Sequence, residues 1–248
     1  MDLSEARLGA TQRHPWETAR ADAIERILRK RAIRPATILD VGCGDGFTGE
    51  QLASALGAAE LWGVDLHASA QRCAQQSHDG VYYVQHLEQV RSSAFELALL
   101  CDVIEHVADD VALVESVLAR LAPGGYLLLT VPSFQALFSA HDRALHHYRR
   151  YSLTELRRTI DAAGAESLAD GYLFGSLLPV RVLAKLKQRL LPRSEPEDFG
   201  VGGWGAPPLV TALLRGAFRV DNSLMLGLSS GPIKPPGLSA WALCKKRR

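Results

Sequence analysis

The stretch Ile38–Phe47, ILDVGCGDGF, sets three glycines at alternate positions directly after an apolar run and an aspartate. ATILDVG reads as a short strand buried on both faces, as in a parallel sheet covered by helices. The following run, FTGEQLASALG, carries Leu52, Ala55 and Leu56 on one helical face and stops at Gly57. A strand, a glycine loop and a helix in that order let backbone N–H groups approach a ligand with no Cβ in the way. Gly42, Gly44 and Gly46 are placed for that approach, and Asp40 sets a carboxylate beside it. Gly44, Gly46 and Gly49 also satisfy the G-x-G-x-x-G pattern of dinucleotide-binding folds, so an NAD(P)-binding oxidoreductase is a rival reading. Three features count against it: Gly42 comes before the fingerprint's first glycine, Asp40 would repel a pyrophosphate, and no second mononucleotide half follows.

Strands and helices alternate outward from this stretch. ETARADAIERILRKR (17–31) opens the chain as an amphipathic helix. ELWGVDL, VYYVQ and ELALLCD read as further strands, with SAQRCAQQ as a helix between the first two. DDVALVESVLARLAPGG aligns Val114, Val117, Leu118 and Leu121 as a helical stripe, closed by Pro123-Gly124-Gly125. YLLLTVPS then reads as the fifth strand. YSLTELRRTIDAAG has Ser152 and Glu155 in capping-box spacing and Gly164 just past its end, which marks a helix. ESLADGYLF (166–174) and GLSAWALCKK (237–246) are strand-like, with about sixty residues between them. The expected organisation is an α/β core over 1–174 and 237–248, with 175–236 as a lid too small for a core of its own.

With 248 residues, 47% hydrophobic and 22% charged, the chain has the composition of a globular protein with a sizeable core. A formal net charge of +1 argues against a dedicated nucleic-acid binder. Cys43, Cys73, Cys101 and Cys244 form no C-x-x-C pair, so no disulfide framework or metal site is expected, and a reducing cytoplasm is. The first residues lack the apolar core of a signal peptide, and no apolar run approaches the ~20 residues of a membrane span.

The motifs together resemble the class I S-adenosylmethionine-dependent methyltransferases, in particular their small-molecule members. Asp40-Val41-Gly42-Cys43-Gly44-Asp45-Gly46 is similar to the family's D-x-G-x-G-x-G, and Asp65 to its ribose-binding acid. LLCDVIEHVADD (Leu99 to Asp110) resembles its fourth-strand motif, LAPGGYLLLTVP its turn into the fifth strand, and HPWETAR (His14 to Arg20) its N-terminal cap. The resemblance implies a Rossmann-like sheet of seven strands, the last antiparallel, with a helical insertion before it. It implies S-adenosyl-L-methionine as cofactor, and S-adenosyl-L-homocysteine as product. The cofactor contacts carried over are Asp40, Gly42, Cys43, Gly44, Gly46, Asp65, Leu66, Cys101 and Asp102, with adenine against Leu87, Glu88 or the backbone.

Methyl transfer from a sulfonium is an in-line displacement, so an enzyme mainly positions the acceptor, and a hydroxyl acceptor also needs a base. SAHDRALHHYRRYS supplies His141 and His147 as alternative bases, and Tyr148, Arg149, Arg150 and Tyr151 as acceptor contacts. Glu105 and His106 read more simply as the polar start of a helix, and Cys43 and Cys101 as small apolar packing residues. In GSLLPVRVLAKLKQRLLP, Leu183, Leu186 and Leu190 line up opposite Arg181, Lys185, Lys187 and Arg189. The simpler expectation is a leucine face packed inward with a solvated basic face. A peripheral membrane contact through 175–192 is the alternative. The overall expectation is methyl transfer to a small-molecule, sugar or lipid-like acceptor, most readily at oxygen. A non-catalytic module that keeps the cofactor pocket is the remaining rival.

Overall fold

The computed structural model describes residues 13–68, 70–190 and 204–247, without the side chains of 70–72 and 188–190. Its helices are α1 (Pro15–Lys30), α2 (Phe47–Leu56), α3 (Ala70–Gln76), α4 (Asp110–Arg120), α5 (Ala140–Ala144), α6 (Leu153–Ala162), α7 (Leu177–Leu190) and α8 (Pro208–Leu228). Its strands are β1 (Thr37–Val41), β2 (Glu60–Val64), β3 (Val81–Val84), β4 (Phe95–Cys101), β5 (Leu121–Pro132), β6 (Ala165–Leu173) and β7 (Ser239–Lys246). They form one sheet in the order β3-β2-β1-β4-β5-β7-β6, in which β7 alone runs antiparallel to its neighbours. This is the expected seven-stranded α/β architecture. The strand order reverses beside β1, so the carboxyl ends of β1 and β4 flank the crevice in which open α/β sheets bind ligands.

Alternate residues of the central strands serve opposite faces. Leu39, Ala98, Leu100, Leu127 and Leu129 point to one face, where Val114, Val117, Leu156 and Ile160 of α4 and α6 cover them. Ile38, Leu97, Leu99, Leu128 and Leu243 point to the other, under Ile24, Leu28, Leu52 and Leu56 of α1 and α2. Burial of each such side chain contributes roughly 1.5–3 kcal/mol, which fixes the strand register from both sides.

Local chemistry sets the ends of the elements. His14 caps α1 by accepting the Trp16 N–H at Nδ1 (3.1 Å), with Pro15 in the first turn. Ser152 and Glu155 form the expected capping box of α6, and Gly164 follows at φ +80°. The end of α4 differs from expectation. The helix stops at Arg120, and Leu121 already pairs with Phe95 of β4. Pro123-Gly124-Gly125 therefore lies inside the irregular start of β5, where the register shifts between Phe95 and Leu97, rather than ending a helix.

The 175–236 segment is not uniformly a lid. α8 lies along α1 and is tied to it: Asn222 donates to the Ala19 carbonyl (3.3 Å), and Arg219 pairs with Asp22. Phe218 meets Phe174 edge to face, with centroids 5.8 Å apart. α7 reverses the expected polarity. Arg181 donates to Ser139 Oγ (2.7 Å) and Lys185 to the Ala136 and Phe138 carbonyls (2.5 and 2.7 Å), so these cations face the protein. Val180, Leu183 and Leu186 are left exposed. The side chains of Arg189 and Leu190, placed on opposite faces by the sequence, lie outside the described residues. Among the described residues no helix is long and apolar enough to cross a membrane.

Candidate active site

The glycine loop turns sharply off β1. Gly42 and Cys43 donate to the Val64 carbonyl (2.7 and 3.1 Å), and Gly42, Gly44 and Gly46 take φ of +72°, +59° and +88°. These are left-handed conformations that glycine adopts without strain. At two of the three the close neighbour is protein. A Cβ on Gly42 would fall on Val103, and one on Gly46 on the hydroxyl of Tyr83, which donates to Glu50 (2.5 Å). Those two glycines make room for packing side chains as well as for a bend. Asp65, at the end of β2, accepts the Gly44 N–H (2.8 Å) and the His67 N–H (2.9 Å), and so braces the loop. A carboxylate has about four acceptor positions, so capacity remains for a ligand hydroxyl.

Asp40 is buried beneath the loop, and its Oδ2 has no hydrogen-bond partner. Burial pushes its carboxyl up to about 7, although nearby Arg20 opposes the shift. Leu66 is exposed at the rim, Leu87 packs half-buried against the core, and Glu88 is exposed in the turn after β3. Cys43 and Cys101 are buried among apolar neighbours, and burial raises both thiols, that of Cys101 to about 12.

Asp102 follows β4 at φ +57° and links the loop region to a cavity of about 480 Å³. It pairs with Arg20 and accepts from Thr130 Oγ1 (3.2 Å). Arg20 is buried over the Trp16 ring, 4.5 Å from its centroid, and its Nε has no partner. The cavity lies within the size range of small-molecule sites. Trp16, Leu177, Trp204, Leu214, Phe218 and Leu238 give it apolar walls. Trp204 also meets the ring of His14 edge to face at 4.7 Å. Glu105, His106, His141, His147, Arg150 and Arg181 form its polar side.

Two loops meet at that polar side because the Tyr148 N–H donates to the Glu105 carbonyl (2.7 Å). Asp142 lies beneath, fully buried. It accepts from Arg150 Nε (2.7 Å) and the Ser139 N–H (2.9 Å), and its Oδ1 is 3.0 Å from His147 Nδ1. Burial alone would raise the Asp142 carboxyl, but the hydrogen bonds from His147 and Arg150 hold it far below the usual carboxylate range. An ionised Asp142 assigns the His147 proton to Nδ1 and leaves Nε2 as an acceptor. His141 has its pKa lowered by burial, with Arg181 adding to the effect. Glu105 is fully buried and neither carboxylate oxygen has a partner; burial, with Asp102 adding to it, raises its pKa well above the ordinary range.

The structure thus brings His141, His147 and Arg150 to the cavity together with Asp102. It does not bring Tyr148, Arg149 or Tyr151. Tyr148 projects into solvent. Arg149 turns back to the Ala108 carbonyl (2.6 Å) and Asp110 (3.4 Å). Tyr151 is buried, with its hydroxyl on Asp110 (2.8 Å), so its place is structural. Arg150 reaches the wall, but its Nε is already engaged by Asp142. Sequence reasoning missed Arg20, Asp142, Arg181 and Trp204, and gave Glu105 a capping role. Arg20 lay within the quoted HPWETAR, and an acid five residues before a histidine was the available sign of Asp142.

Comparison with known proteins agrees with this geometry. A family model described as a methyltransferase domain matches residues 12–169. Among curated relatives, a ubiquinone biosynthesis O-methyltransferase of Idiomarina loihiensis is 27% identical over 162 residues, 56% of this chain and 66% of that one. A protein of the same name from Chromobacterium violaceum is 28% identical over 172 residues, 61% of this chain and 72% of its own. The chain thus spans just under two thirds of the Idiomarina protein. The N-methyltransferase NodS of Bradyrhizobium japonicum, solved with S-adenosyl-L-homocysteine, shares the fold at TM-score 0.55 and 13% identity, over 95% of this chain and 89% of its own. Phosphoethanolamine N-methyltransferase 2 of Haemonchus contortus, solved with S-adenosyl-L-methionine, does so at TM-score 0.55 and 16% identity, over 91% of this chain and 52% of its own. With more than half of its length matched by the family model, on a sheet of this order and a glycine loop of this form, the chain belongs to the methyltransferase-domain family of class I S-adenosylmethionine-dependent enzymes.

Proposed function

We propose that this protein methylates an oxygen of a small or lipid-like acceptor seated in the cavity, with His147 as the group that takes the proton. The observation that carries this reading is the Asp142–His147 pair on the cavity wall. A buried carboxylate on Nδ1 (3.0 Å) orients the ring and turns a basic Nε2 to the acceptor. The names of the curated relatives, O-methyltransferases, support an oxygen acceptor.

The residues present fit the family's cofactor. Arg20 has an unpartnered buried Nε suited to a carboxylate, and Asp65 keeps acceptor capacity for ribose hydroxyls. When bound, S-adenosyl-L-methionine supplies an electrophilic methyl group on a sulfonium. The glycine loop and Asp65 then hold the nucleoside side, while Arg20 and Asp102 mark the passage to the cavity. Trp16, Trp204, Leu214 and Phe218 exclude water and take the apolar body of the acceptor, which gives 175–236 its role as an acceptor wall.

The test is release of S-adenosyl-L-homocysteine from S-adenosyl-L-methionine over a panel of phenols, sugars and lipid-like alcohols. His147→Ala should lower turnover by about 10²–10⁴ with cofactor affinity intact. Full activity of that variant would remove His147 as base and leave His141→Ala as the next test. Absence of turnover with every acceptor, despite cofactor binding, would favour a non-catalytic module, and binding of NAD instead would favour an oxidoreductase. A peripheral contact through α7 is supported by exposed Val180, Leu183 and Leu186 on a helix without an acid, and is read by flotation with anionic vesicles. Four free, buried cysteines are consistent with a reducing compartment.

A further inference from the structure

Glu105 makes a demand that the protein around it does not meet. Its side chain is fully buried at the cavity wall, and both carboxylate oxygens lack a hydrogen-bond partner. Buried carboxylates are ordinarily paired, hydrogen-bonded or bound to a metal. Two histidines stand close to Glu105, besides Asp102 and Arg20, whose charges act on its carboxyl. One ligand atom each of Glu105, His106 and His147 lies within 4.8 Å of the other two. The His106 and His147 rings meet edge to face, with centroids 4.5 Å apart. Glu105 and His106 share the turn after β4, and the Tyr148–Glu105 backbone hydrogen bond (2.7 Å) brings His147 to it from the loop after α5.

Behind His147 the arrangement is that of a metal-ligating histidine. Its Nδ1 is tied to Asp142 (3.0 Å), and Asp142 is itself held by Arg150 (2.7 Å) and Ser139 (2.9 Å). Histidine ligands ordinarily give one ring nitrogen to a carboxylate in this way, which fixes the tautomer and leaves the other nitrogen for the metal. From these observations we propose that Glu105, His106 and His147 bind a divalent transition-metal cation at the wall of the acceptor cavity.

One carboxylate and two imidazoles suit zinc, cobalt or ferrous iron better than magnesium, which prefers oxygen ligands. Bonds of about 2.0–2.2 Å set ligand atoms about 3.4 Å apart in a tetrahedral site, so small side-chain rotations close the present spacing. Three protein ligands leave a position open to the cavity. The consequence for catalysis rests on the proposed oxygen methylation: an acceptor hydroxyl bound there loses its proton to solvent as its O–H bond breaks and its oxygen binds the cation. In the loaded enzyme His147 is then a ligand, and the cation takes over the activation that the free imidazole would provide.

The experiment uses full-length, tag-free protein stripped with a chelator and dialysed. Calorimetric titration with Zn²⁺, and visible absorption on titration with Co²⁺, should both show one equivalent bound. Glu105→Gln and His147→Ala should each lose at least tenfold in affinity, and Asp142→Asn, which leaves all three ligands in place and changes the carboxylate that supports His147, about 10–100-fold. Circular dichroism and S-adenosyl-L-homocysteine affinity, measured on the same samples, separate loss of the site from loss of the fold. Absence of stoichiometric binding by the wild type, or undiminished binding by Glu105→Gln in a folded protein, overturns the proposal. Homocysteine-nucleoside binding without metal binding defeats the metal site and leaves the methyltransferase reading standing. Metal binding that tracks Glu105 and His147, in a protein inactive toward every alcohol tested, upholds the site and defeats the oxygen acceptor.

Discussion

Asp40→Asn should make the ligand-free protein more stable at pH 8, although it removes an acid from the motif that identifies the fold. Asp40 is buried under the glycine loop with Oδ2 unpartnered, and burial moves its carboxyl from an ordinary 3.8 to about 7. A carboxyl raised on folding binds its proton more tightly in the folded chain than in the unfolded one. Its contribution is therefore most favourable below the unfolded value near 4, declines as pH rises through the folded value near 7, and is level beyond it. A gap of about 3 pKa units at about 1.36 kcal/mol each sets the full decline at about 4 kcal/mol. Asparagine keeps the shape and carries no charge, so the variant lacks this slope. Urea unfolding of both proteins between pH 4.5 and 8.5 reads the difference directly. Near pH 4.5 the midpoints should be close; by pH 8 the variant should be ahead by up to about 4 kcal/mol. Glu105, raised in the same direction, gives both proteins a similar background decline. Parallel pH profiles, or an asparagine variant that is less stable at pH 8, would show that Asp40 is ionised and well partnered in the folded chain.

Asp65→Ala should weaken S-adenosyl-L-homocysteine binding by roughly 1.5–3 kcal/mol in calorimetry, the scale of a hydrogen bond to a charged group; unchanged affinity would take Asp65 off the ribose and leave it a brace for Gly44. Gly46→Ala should lower stability by about 1–3 kcal/mol in urea unfolding, because φ is +88° and the new Cβ falls on the Tyr83 hydroxyl. A short Gly/Ser turn in place of 175–236 should abolish cooperative thermal unfolding, because it strips Phe218, Asn222 and Met225 from the core; retention of a sharp transition would show that the segment is a separable lid. Asp142→Asn should lower turnover at least tenfold with cofactor affinity unchanged, since a neutral amide no longer assigns the His147 proton to Nδ1.

What the sequence made legible follows the range of the forces involved. The sheet could be read because its central strands are apolar on both faces and each helix carries its own stripe and cap. Ser152 and Glu155 mark the start of α6 within its first turn, and Gly164 follows just past its end. The glycine loop could be read for the same reason, since positive φ is a demand made locally. What those glycines face could not: the side chains filling the space come from Val103, 61 residues beyond Gly42, and Tyr83, 37 beyond Gly46. The acceptor side shows the same limit more strongly. Nine of the eleven side chains from His141 to Tyr151 are polar and six of them were candidates, yet only tertiary pairing sorts them. Arg149 and Tyr151 are drawn to Asp110, and His147 and Arg150 to Asp142.

The α7 helix shows why amphipathic spacing alone does not say which face turns inward. Its stripe of leucines is real, and hydrophobic burial would normally decide the matter. Here the loop 136–139 presents two carbonyls and a serine hydroxyl that need donors, and Arg181 and Lys185 reach them at 2.5–2.7 Å. Three satisfied hydrogen bonds from cations, at roughly 1.5–3 kcal/mol each, rival the burial of two or three leucines. The orientation is then set by what the neighbouring loop lacks rather than by what the helix carries. It also leaves Leu183 and Leu186 outward on the helix whose Leu177 and Arg181 line the cavity. An apolar surface beside an apolar acceptor site is the arrangement that an enzyme drawing its acceptor from a membrane would need. In that case Leu183→Asp with Leu186→Asp should reduce flotation with anionic vesicles while leaving turnover on a freely dissolved acceptor unchanged. Loss of turnover on the dissolved acceptor would instead make the two leucines part of the site's own wall.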